Sequence, residues 1–243
     1  MIAITKDLLL ISNYTLHGSG YLDHCEYQIK DILRSRKKVL FIPYARPGGK
    51  TFNEYTKIAR ERFQKMGFSL NGIHEYNNQK KAVKNAESIF IGGGNTFVLL
   101  KYLYDTGIID CIKQKVSEGT PYIGTSAGSN VAGKTIMTTN DMPILYPSSF
   151  EAIGLVPFII NPHYLDLDPT SKHMGESRET RIKEYHAFNN DIVVGLREGA
   201  MIRVVGNNLY LKGSNGARIF KRDQEPTEHR SGGSLDFLLS ENV

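Results

Sequence analysis

The run from Tyr122 to Asn130 constrains this chain more than any other stretch of its sequence. An apolar, strand-like segment leads into the pentapeptide Gly124-Thr125-Ser126-Ala127-Gly128, and small residues compatible with a helix follow it. A G-x-S-x-G turn between a strand and a helix is typical of a nucleophile elbow, where the flanking glycines relieve crowding and the serine Oγ is exposed. Because the pentapeptide also recurs by chance in unrelated chains, Ser126 becomes a credible nucleophile only beside a base, an acid and an oxyanion hole.

The first half of the chain alternates short apolar runs with helical patterns. We predict strands over residues 8–12, 39–45, 88–91 and 121–125, and helices over residues 21–36, 51–66 and 96–118. Thr51 and Glu54 have the spacing of a capping box at the start of the second helix. This order predicts an α/β fold with a mostly parallel sheet and helices on both of its faces.

The alternation changes after about residue 133. The pattern favours an exposed turn over residues 138–142, a strand over 154–161 and a helix over 175–188. Residues 191–222 alternate apolar and polar positions and are interrupted by glycine-rich turns, which predicts C-terminal antiparallel hairpins that extend the sheet or form a small flap. We expect the polar tail from Asp223 to be loosely ordered, within a single domain that covers residues 1–243.

Composition excludes several classes of function. The 243 residues are 40% hydrophobic, which suits one globular domain with a sizeable core. The net charge is +5, but the basic residues are scattered rather than gathered into a tract, so we expect an anionic small substrate and no nucleic-acid partner. Cys25 and Cys111 have no C-x-x-C spacing, and we expect neither a metal nor another cofactor.

The N-terminal segment and the lengths of the apolar runs indicate where in the cell we expect this protein. Charge interrupts the first apolar run too early for a signal peptide, and no apolar stretch has the length of a membrane span. We therefore expect a cytoplasmic protein without a membrane partner. The sequence leaves the oligomeric state open, with a homodimer as one option.

A serine nucleophile needs a base, and the base needs an acid to orient it. Of the seven histidines, His163 is the best candidate because it directly follows an apolar strand-like run. Two acids compete for the third role: Asp141 in the predicted turn and Glu198 at the end of another apolar run. Either could instead be a solvated loop charge, and the sequence does not choose between them.

Glycines at 92–94 follow a predicted strand and precede a predicted helix. Their unencumbered N–H groups could converge on developing negative charge, so Gly93 or Gly94, together with the N–H of Ala127, are candidates for an oxyanion hole. A phosphate-binding turn is the alternative interpretation. The segment lacks both the G-x-G-x-x-G spacing and the lysine of a Walker motif.

The order of several motifs resembles the aspartyl dipeptidase (peptidase E) family of serine peptidases. The resemblance extends from Ser12-Asn13 to the segment around Glu198, and it is carried by Gly92-Gly93-Gly94-Asn95-Thr96-Phe97, Gly124-Thr125-Ser126-Ala127-Gly128, Thr139-Asn140-Asp141-Met142-Pro143-Ile144 and Asn161-Pro162-His163-Tyr164. The resemblance implies a class I glutamine-amidotransferase-like (flavodoxin-like) α/β fold. It also implies a cytoplasmic serine dipeptidase that removes an N-terminal aspartate from dipeptides and short peptides.

The resemblance also assigns roles to residues. It implies that Ser126 is the nucleophile, that His163 is the base, and that either Asp141 or Glu198 is the acid. It places the arginine that binds the substrate aspartate at Arg178, whose planar guanidinium can grip a carboxylate through two hydrogen bonds. Without the resemblance, a surface arginine at a helix start would be the simpler interpretation.

Three alternatives to an aspartyl dipeptidase stay open at this point. The first is a related peptidase such as a cyanophycinase, and the second is an α/β-hydrolase esterase that uses the same elbow. The third, from a different class, is a non-catalytic module that binds a small ligand or a nucleotide. The segment between His163 and Gly175 is one residue longer than the family pattern leads us to expect, and Thr125 stands where a bulkier aromatic residue is expected.

Overall fold

The computed structural model describes residues 6–46, 48–167, 170, 172 and 174–240. Its strands are β1 (Asp7–Ile11), β2 (Lys38–Ile42), β3 (Ser69–Gly72), β4 (Ile89–Ile91), β5 (Tyr122–Thr125), β6 (Ile159–Tyr164), β7 (Val193–Arg197), β8 (Ala200–Val205), β9 (Asn208–Gly213), β10 (Ala217–Phe220) and β11 (Thr227–His229). Its α-helices are α1 (Glu26–Leu33), α2 (Phe52–Lys65), α3 (Gln79–Lys84), α4 (Thr96–Thr106), α5 (Ile109–Ser117), α6 (Ala127–Asn130), α7 (Arg178–His186) and α8 (Phe237–Ser240). None of the described helices is long and apolar enough to cross a membrane.

The main sheet has seven strands in the order β3-β2-β4-β5-β1-β8-β9. The five strands from β3 to β1 run parallel, while β8 is antiparallel to β1 and β9 is antiparallel to β8. The prediction of a mostly parallel α/β sheet is therefore confirmed. Its carboxyl edge is where parallel α/β folds place their sites.

A second sheet of four strands has the order β11-β10-β7-β6. Strands β6 and β7 pair in parallel, and β10 is antiparallel to both β7 and β11. Both sequence alternatives for the C-terminal strands hold in part, because the β8–β9 hairpin extends the main sheet while β7 and β10 join the second one. The chain passes from the second sheet to the main sheet within residues 198–199, between β7 and β8.

Apolar residues on the two faces of the main sheet form separate clusters. Leu8 and Leu10 of β1 pack in the cluster that contains α4 and α5, whereas Leu9 and Ile11 pack in the cluster that contains α1 and α2. This division follows from the strand period, since successive side chains point to opposite faces. Helices consequently cover the sheet on both sides, as predicted.

Helix boundaries follow local signals. The capping box of α2 is present, because Thr51 Oγ1 accepts the N–H of Glu54 and the Glu54 carboxylate accepts the N–H of Thr51. The single helix predicted over residues 96–118 is wrong. Gly107, at φ +61°, ends α4 in a left-handed cap, and α5 begins two residues later.

Three further predictions differ from the structure. The strand predicted over residues 154–161 begins only at Ile159 and continues to Tyr164. Edge strand β3 and helix α3 were not predicted, because both are short. The described part of the tail, from Asp223 to residue 240, is not loose: β11 and α8 form there, and Leu235 and Leu238 are fully buried.

Candidate active site

Ser126 lies at a sharp corner between β5 and α6. Its backbone has φ +51° and ψ −112°, a conformation that residues with a side chain rarely adopt. Such a residue costs roughly 1 to 3 kcal/mol and persists only when its surroundings hold it there. The Ser126 N–H donates to the carbonyl of Ile11 on neighbouring β1 (3.0 Å), which anchors the corner.

The two glycines of the pentapeptide are required by close backbone packing. A Cβ at Gly124 would lie 2.5 Å from the carbonyl oxygen of Gly128, and a Cβ at Gly128 would lie 2.2 Å from that of Ile91. Neither distance is tolerable, and the obstacle in each case is backbone rather than a mobile side chain. The corner of a nucleophile elbow therefore requires glycine at both positions.

His163 contacts both Ser126 and Glu198. Its Nε2 lies 3.0 Å from Ser126 Oγ, and its Nδ1 lies 2.7 Å from Glu198 Oε1. Because an ionised carboxylate only accepts hydrogen bonds, Nδ1 carries the proton that is donated to Glu198. Nε2 is then free to accept the proton of the serine hydroxyl.

The position of His163 depends on a bulge in β6. The register with β7 shifts between Pro162 and Tyr164, and His163 has φ +53°. Its N–H donates to the buried hydroxyl of Ser12 (2.9 Å), which in turn donates to the carbonyl of Leu196 (2.8 Å). A residue at the end of β1 thus joins the main sheet to the two strands that carry the imidazole and the acid.

Glu198 occupies the turn between β7 and β8. Asn13 Oδ1 accepts the N–H of Gly199 (2.8 Å), and Asn215 Nδ2 donates to the carbonyl of Glu198 (2.6 Å). These two hydrogen bonds fix the backbone of the turn and thereby the position from which the Glu198 side chain extends. Burial lowers the pKa of His24 despite opposing effects of Asn13, Asp23 and Glu198, which favours the neutral form of its imidazole.

Asp141, the other candidate acid, has different partners. Its Oδ2 accepts hydrogen bonds from the Thr96 N–H (2.7 Å) and the Thr96 hydroxyl (2.6 Å) at the start of α4. The Thr139 hydroxyl lies 3.3 Å from the same oxygen. The structure therefore brings Glu198, and not Asp141, into contact with the ring of His163.

Arg178 is the first residue of α7 and is half-buried. Burial lowers its pKa, neighbouring Arg181 lowers it further, and Asp141 acts in the opposite direction. Asp141 thus favours the charged form of the Arg178 guanidinium. Residues 168, 169, 171 and 173, within the segment that is longer than expected, lie outside the described residues.

The glycine run between β4 and α4 packs tightly beside Ser126. A Cβ at Gly93 would lie 2.9 Å from Ser126 Cβ, and one at Gly94 would lie 2.1 Å from the Ala45 carbonyl oxygen. Within the described part of the chain, the amides of Gly93, Gly94 and Ala127 have no hydrogen-bond acceptor. These are the free donors that an oxyanion hole needs.

Sequence reasoning assigned no role to Ser12, Asn13 or Thr96, although each one positions part of the site. A signal was present for the first two, because polar residues directly follow the carboxyl end of a buried strand. Thr96 gave no such signal beyond its place at a helix start. Their roles depend on contacts with residues far away in the sequence.

The rest of the described molecule offers no metal site, and a cavity of the protein lies away from Ser126. Among the described residues, no group of three or more His, Cys, Asp or Glu side chains could hold a metal ion. A cavity of about 1010 Å³ is lined by Lys134, Glu151 and Tyr185 and includes none of the residues around Ser126. The chemistry suggested by Ser126 therefore belongs to an open edge of the sheet and not to this cavity.

A strained serine whose hydroxyl contacts an imidazole, which in turn contacts a carboxylate, is the arrangement found in serine hydrolases. Comparisons with known proteins agree with that class. Residues 8–212 match the model of Peptidase family S51. The chain is 46% identical to the probable alpha-aspartyl dipeptidase of Drosophila melanogaster, over 98% of this chain and 99% of that protein.

Two further comparisons extend this result. Peptidase E of Streptomyces coelicolor is 44% identical, over 96% of this chain and 95% of that protein. The crystal structure of a peptidase from an acI-B1 actinobacterium has the same fold, with a TM-score of 0.73 at 18% identity, over 96% of this chain and 97% of that one. The chain belongs to peptidase family S51, a family of serine-type peptidases.

Proposed function

We propose that this peptidase hydrolyses dipeptides and short peptides with an N-terminal aspartate through an acyl-enzyme intermediate on Ser126. One observation supports the chemistry most strongly: the His163 ring bridges Ser126 Oγ at 3.0 Å and Glu198 Oε1 at 2.7 Å. The names of the similar proteins, alpha-aspartyl dipeptidase and peptidase E, support the substrate class.

In the proposed reaction, His163 Nε2 takes the hydroxyl proton while Ser126 Oγ attacks the carbonyl of the aspartyl residue. The tetrahedral oxyanion is stabilised by the amides of Gly93 or Gly94 and of Ala127. His163 then gives its proton to the leaving amine, and a water molecule hydrolyses the aspartyl ester by the reverse sequence. Glu198 keeps the imidazole in the required tautomer and stabilises its positive charge.

The proposed aspartate site combines two opposite charges. Arg178 binds the β-carboxylate of the substrate, and Asp141 binds its free α-ammonium. The hydrogen bonds of Asp141 with Thr96 and Thr139 all use its Oδ2. Its Oδ1 has no partner among the described residues and can therefore accept a hydrogen bond from the ammonium. An ammonium requirement restricts cleavage to the N-terminal residue.

A dipeptide panel tests this function. We expect cleavage of Asp-Leu to exceed that of Glu-Leu by about 10- to 200-fold, since one extra methylene costs roughly 1 to 3 kcal/mol, and Ala-Leu to be poorer still. Equal cleavage of Ala-Leu and Asp-Leu would contradict the proposal. p-Nitrophenyl acetate is included in the same panel, and its hydrolysis in preference to Asp-Leu would identify a general esterase.

The matched pair Arg178→Ala and Arg181→Ala tests the carboxylate site. Removing Arg178 should lower kcat/KM for Asp-Leu by about 30- to 1000-fold, equivalent to roughly 2 to 4 kcal/mol, and should nearly abolish the preference over Ala-Leu. Arg181 lies on the same helix, is exposed and pairs with Glu176 (3.8 Å), so its removal should leave selectivity unchanged. Unchanged selectivity in the Arg178 variant would exclude Arg178 from the pocket.

A further inference from the structure

Arg46 is a cation near the glycine run that has no carboxylate partner among the described residues. It follows the carboxyl end of β2, and the carbonyl of the preceding Ala45 accepts the N–H of Asn95 (2.6 Å). Among the described residues no ion pair involves Arg46, and its buried Nε has no hydrogen-bond partner. Burial alone would lower the pKa of Arg46, but Tyr55 and Tyr14 outweigh that effect and raise it. The guanidinium therefore stays charged and, without a carboxylate partner, is available to an anionic ligand.

Two tyrosines hold this guanidinium in place. Its Cζ lies 4.6 Å from the ring centre of Tyr55 and 5.4 Å from that of Tyr14. Both distances are within the range of cation–π attraction. Arg46 is therefore positioned by stacking, while the hydrogen-bonding edge of its guanidinium is not used by an acid of the described chain.

The same tyrosines lie against the glycine run. A Cβ at Gly92 would meet the Tyr55 hydroxyl at 2.4 Å, and one at Gly93 would meet Tyr14 Cδ1 at 3.1 Å and Ser126 Cβ at 2.9 Å. Tyr14 thus contacts the residue that packs directly on the nucleophile. Arg46 stacks on the Tyr14 ring, so this ring links the guanidinium to Gly93.

The Arg46 guanidinium and Asp141 are associated with opposite faces of the main sheet. Tyr55 belongs to the apolar cluster on the face covered by α1 and α2, and Tyr14 packs against that cluster. Asp141 is bound to the start of α4, whose apolar residues pack on the other face. Ser126 directly follows β5, at the carboxyl end of the central strands.

We propose that Arg46 binds the α-carboxylate of the leaving residue and thereby makes dipeptides better substrates than longer peptides. The inference rests on the proposed function, in which Asp141, bound to the start of α4, holds the α-ammonium of the aspartyl residue. The leaving residue then extends toward the α1 and α2 side. Its carboxylate in a dipeptide lies only one residue, roughly 3.5 Å along the chain, beyond the scissile bond.

The chemistry of the two partners fits this assignment. A guanidinium presents a planar fork that binds a carboxylate through two charge-assisted hydrogen bonds. A tripeptide or a dipeptide amide has a neutral amide at that position and cannot make this ion pair. An open cavity of about 450 Å³, lined by Arg46, Lys50 and Thr51, leaves room for a ligand beside the guanidinium.

The experiment compares Asp-Leu with Asp-Leu amide as substrates of the full-length protein and of Arg46→Met. Methionine keeps apolar contact with the tyrosines and removes the charge. We expect kcat/KM for Asp-Leu to fall by about 10- to 100-fold in the variant, mainly through KM, while kcat/KM for the amide changes less than about twofold. Asp-Leu-Gly should behave like the amide.

Lys57→Met is the matched control, because Lys57 is an exposed cation on α2 of the same face. It should leave the ratio of kcat/KM for Asp-Leu to kcat/KM for Asp-Leu amide unchanged. Equal losses on both substrates in Arg46→Met, or no loss on either, would overturn the proposal. If circular dichroism shows that Arg46→Met does not fold, Arg46→Lys replaces it. We expect that variant to retain part of the wild-type ratio of kcat/KM for Asp-Leu to kcat/KM for Asp-Leu amide. Failure of the proposed function would appear separately, as wild-type protein that does not prefer Asp-Leu to Ala-Leu.

Discussion

The two sheets contribute different halves of the site and fix them by different means. The nucleophile half, at the ends of β4 and β5, is held by close backbone packing around glycines, as at Gly124 and Gly128. The other half, His163 on β6 and Glu198 after β7, is held by hydrogen bonds to polar side chains of the main sheet. The site is therefore complete only when the second sheet is correctly joined to the first.

The largest expected effect concerns the nucleophile half. Ser126→Ala should lower kcat for Asp-Leu by a factor on the order of 10⁵, because the remaining groups of such a unit contribute little without the nucleophile. Thermal unfolding should be nearly unchanged, since only one hydroxyl is lost. Activity within tenfold of wild type would show that Ser126 is not the nucleophile.

The second prediction separates the two candidate acids. Glu198→Gln should lower kcat by about 10³- to 10⁴-fold with little change in KM, because the imidazole loses its orienting carboxylate. Asp141→Asn should act mainly by raising KM, since Asp141 is proposed to bind the substrate ammonium. The opposite assignment of kcat and KM effects would contradict the contact between His163 and Glu198.

The third prediction concerns the close packing of the elbow. Gly128→Ala should lower the free energy of unfolding by about 1 to 3 kcal/mol and also lower activity, because the added Cβ meets the Ile91 carbonyl. Gly48→Ala is the matched control, since nothing lies within 4 Å of a Cβ at Gly48. Urea unfolding measures both variants, and equal stability of the two would disprove the packing argument.

The smallest effect is expected in the second sheet. Arg197 donates to both oxygens of Asp166 (2.7 and 2.6 Å), and this contact lowers the pKa of Asp166 despite partial burial. Asp166→Asn should lower the free energy of unfolding by less than about 1 kcal/mol, because the Asp166 side chain is half-exposed and Arg197 keeps Glu228 as a partner (3.0 Å).

The sign of the Asp166 effect with pH follows from the lowered pKa. The stabilisation by Asp166 is complete above the ordinary aspartate pKa of about 3.9 and is lost as the pH falls through the folded value. The stability difference between wild type and Asp166→Asn should hence be constant from about pH 5 to 8 and shrink below about pH 4. A difference that grows on acidification would refute this.

The same comparison explains what the sequence could and could not predict. Strand β5 and the glycines around Ser126 were predictable because strand, turn and helix are adjacent in the chain. The choice between Asp141 and Glu198 was not, since it depends on how β6 and β7 dock on β1. Likewise, a polar tail gave no sign that Leu235 and Leu238 would be buried, and the break at Gly107 depends on a single left-handed residue.

The central claim is that residues from two sheets act as one catalytic unit, and a double-mutant cycle tests it most directly. The measurement is kcat for Asp-Leu in Ser126→Ala, Glu198→Gln and the combined variant. If Glu198 acts only through His163 on Ser126, the combined variant should be no slower than Ser126→Ala alone, within about threefold. Losses that multiply, so that the combined variant is slower by the full Glu198→Gln factor, would contradict the account.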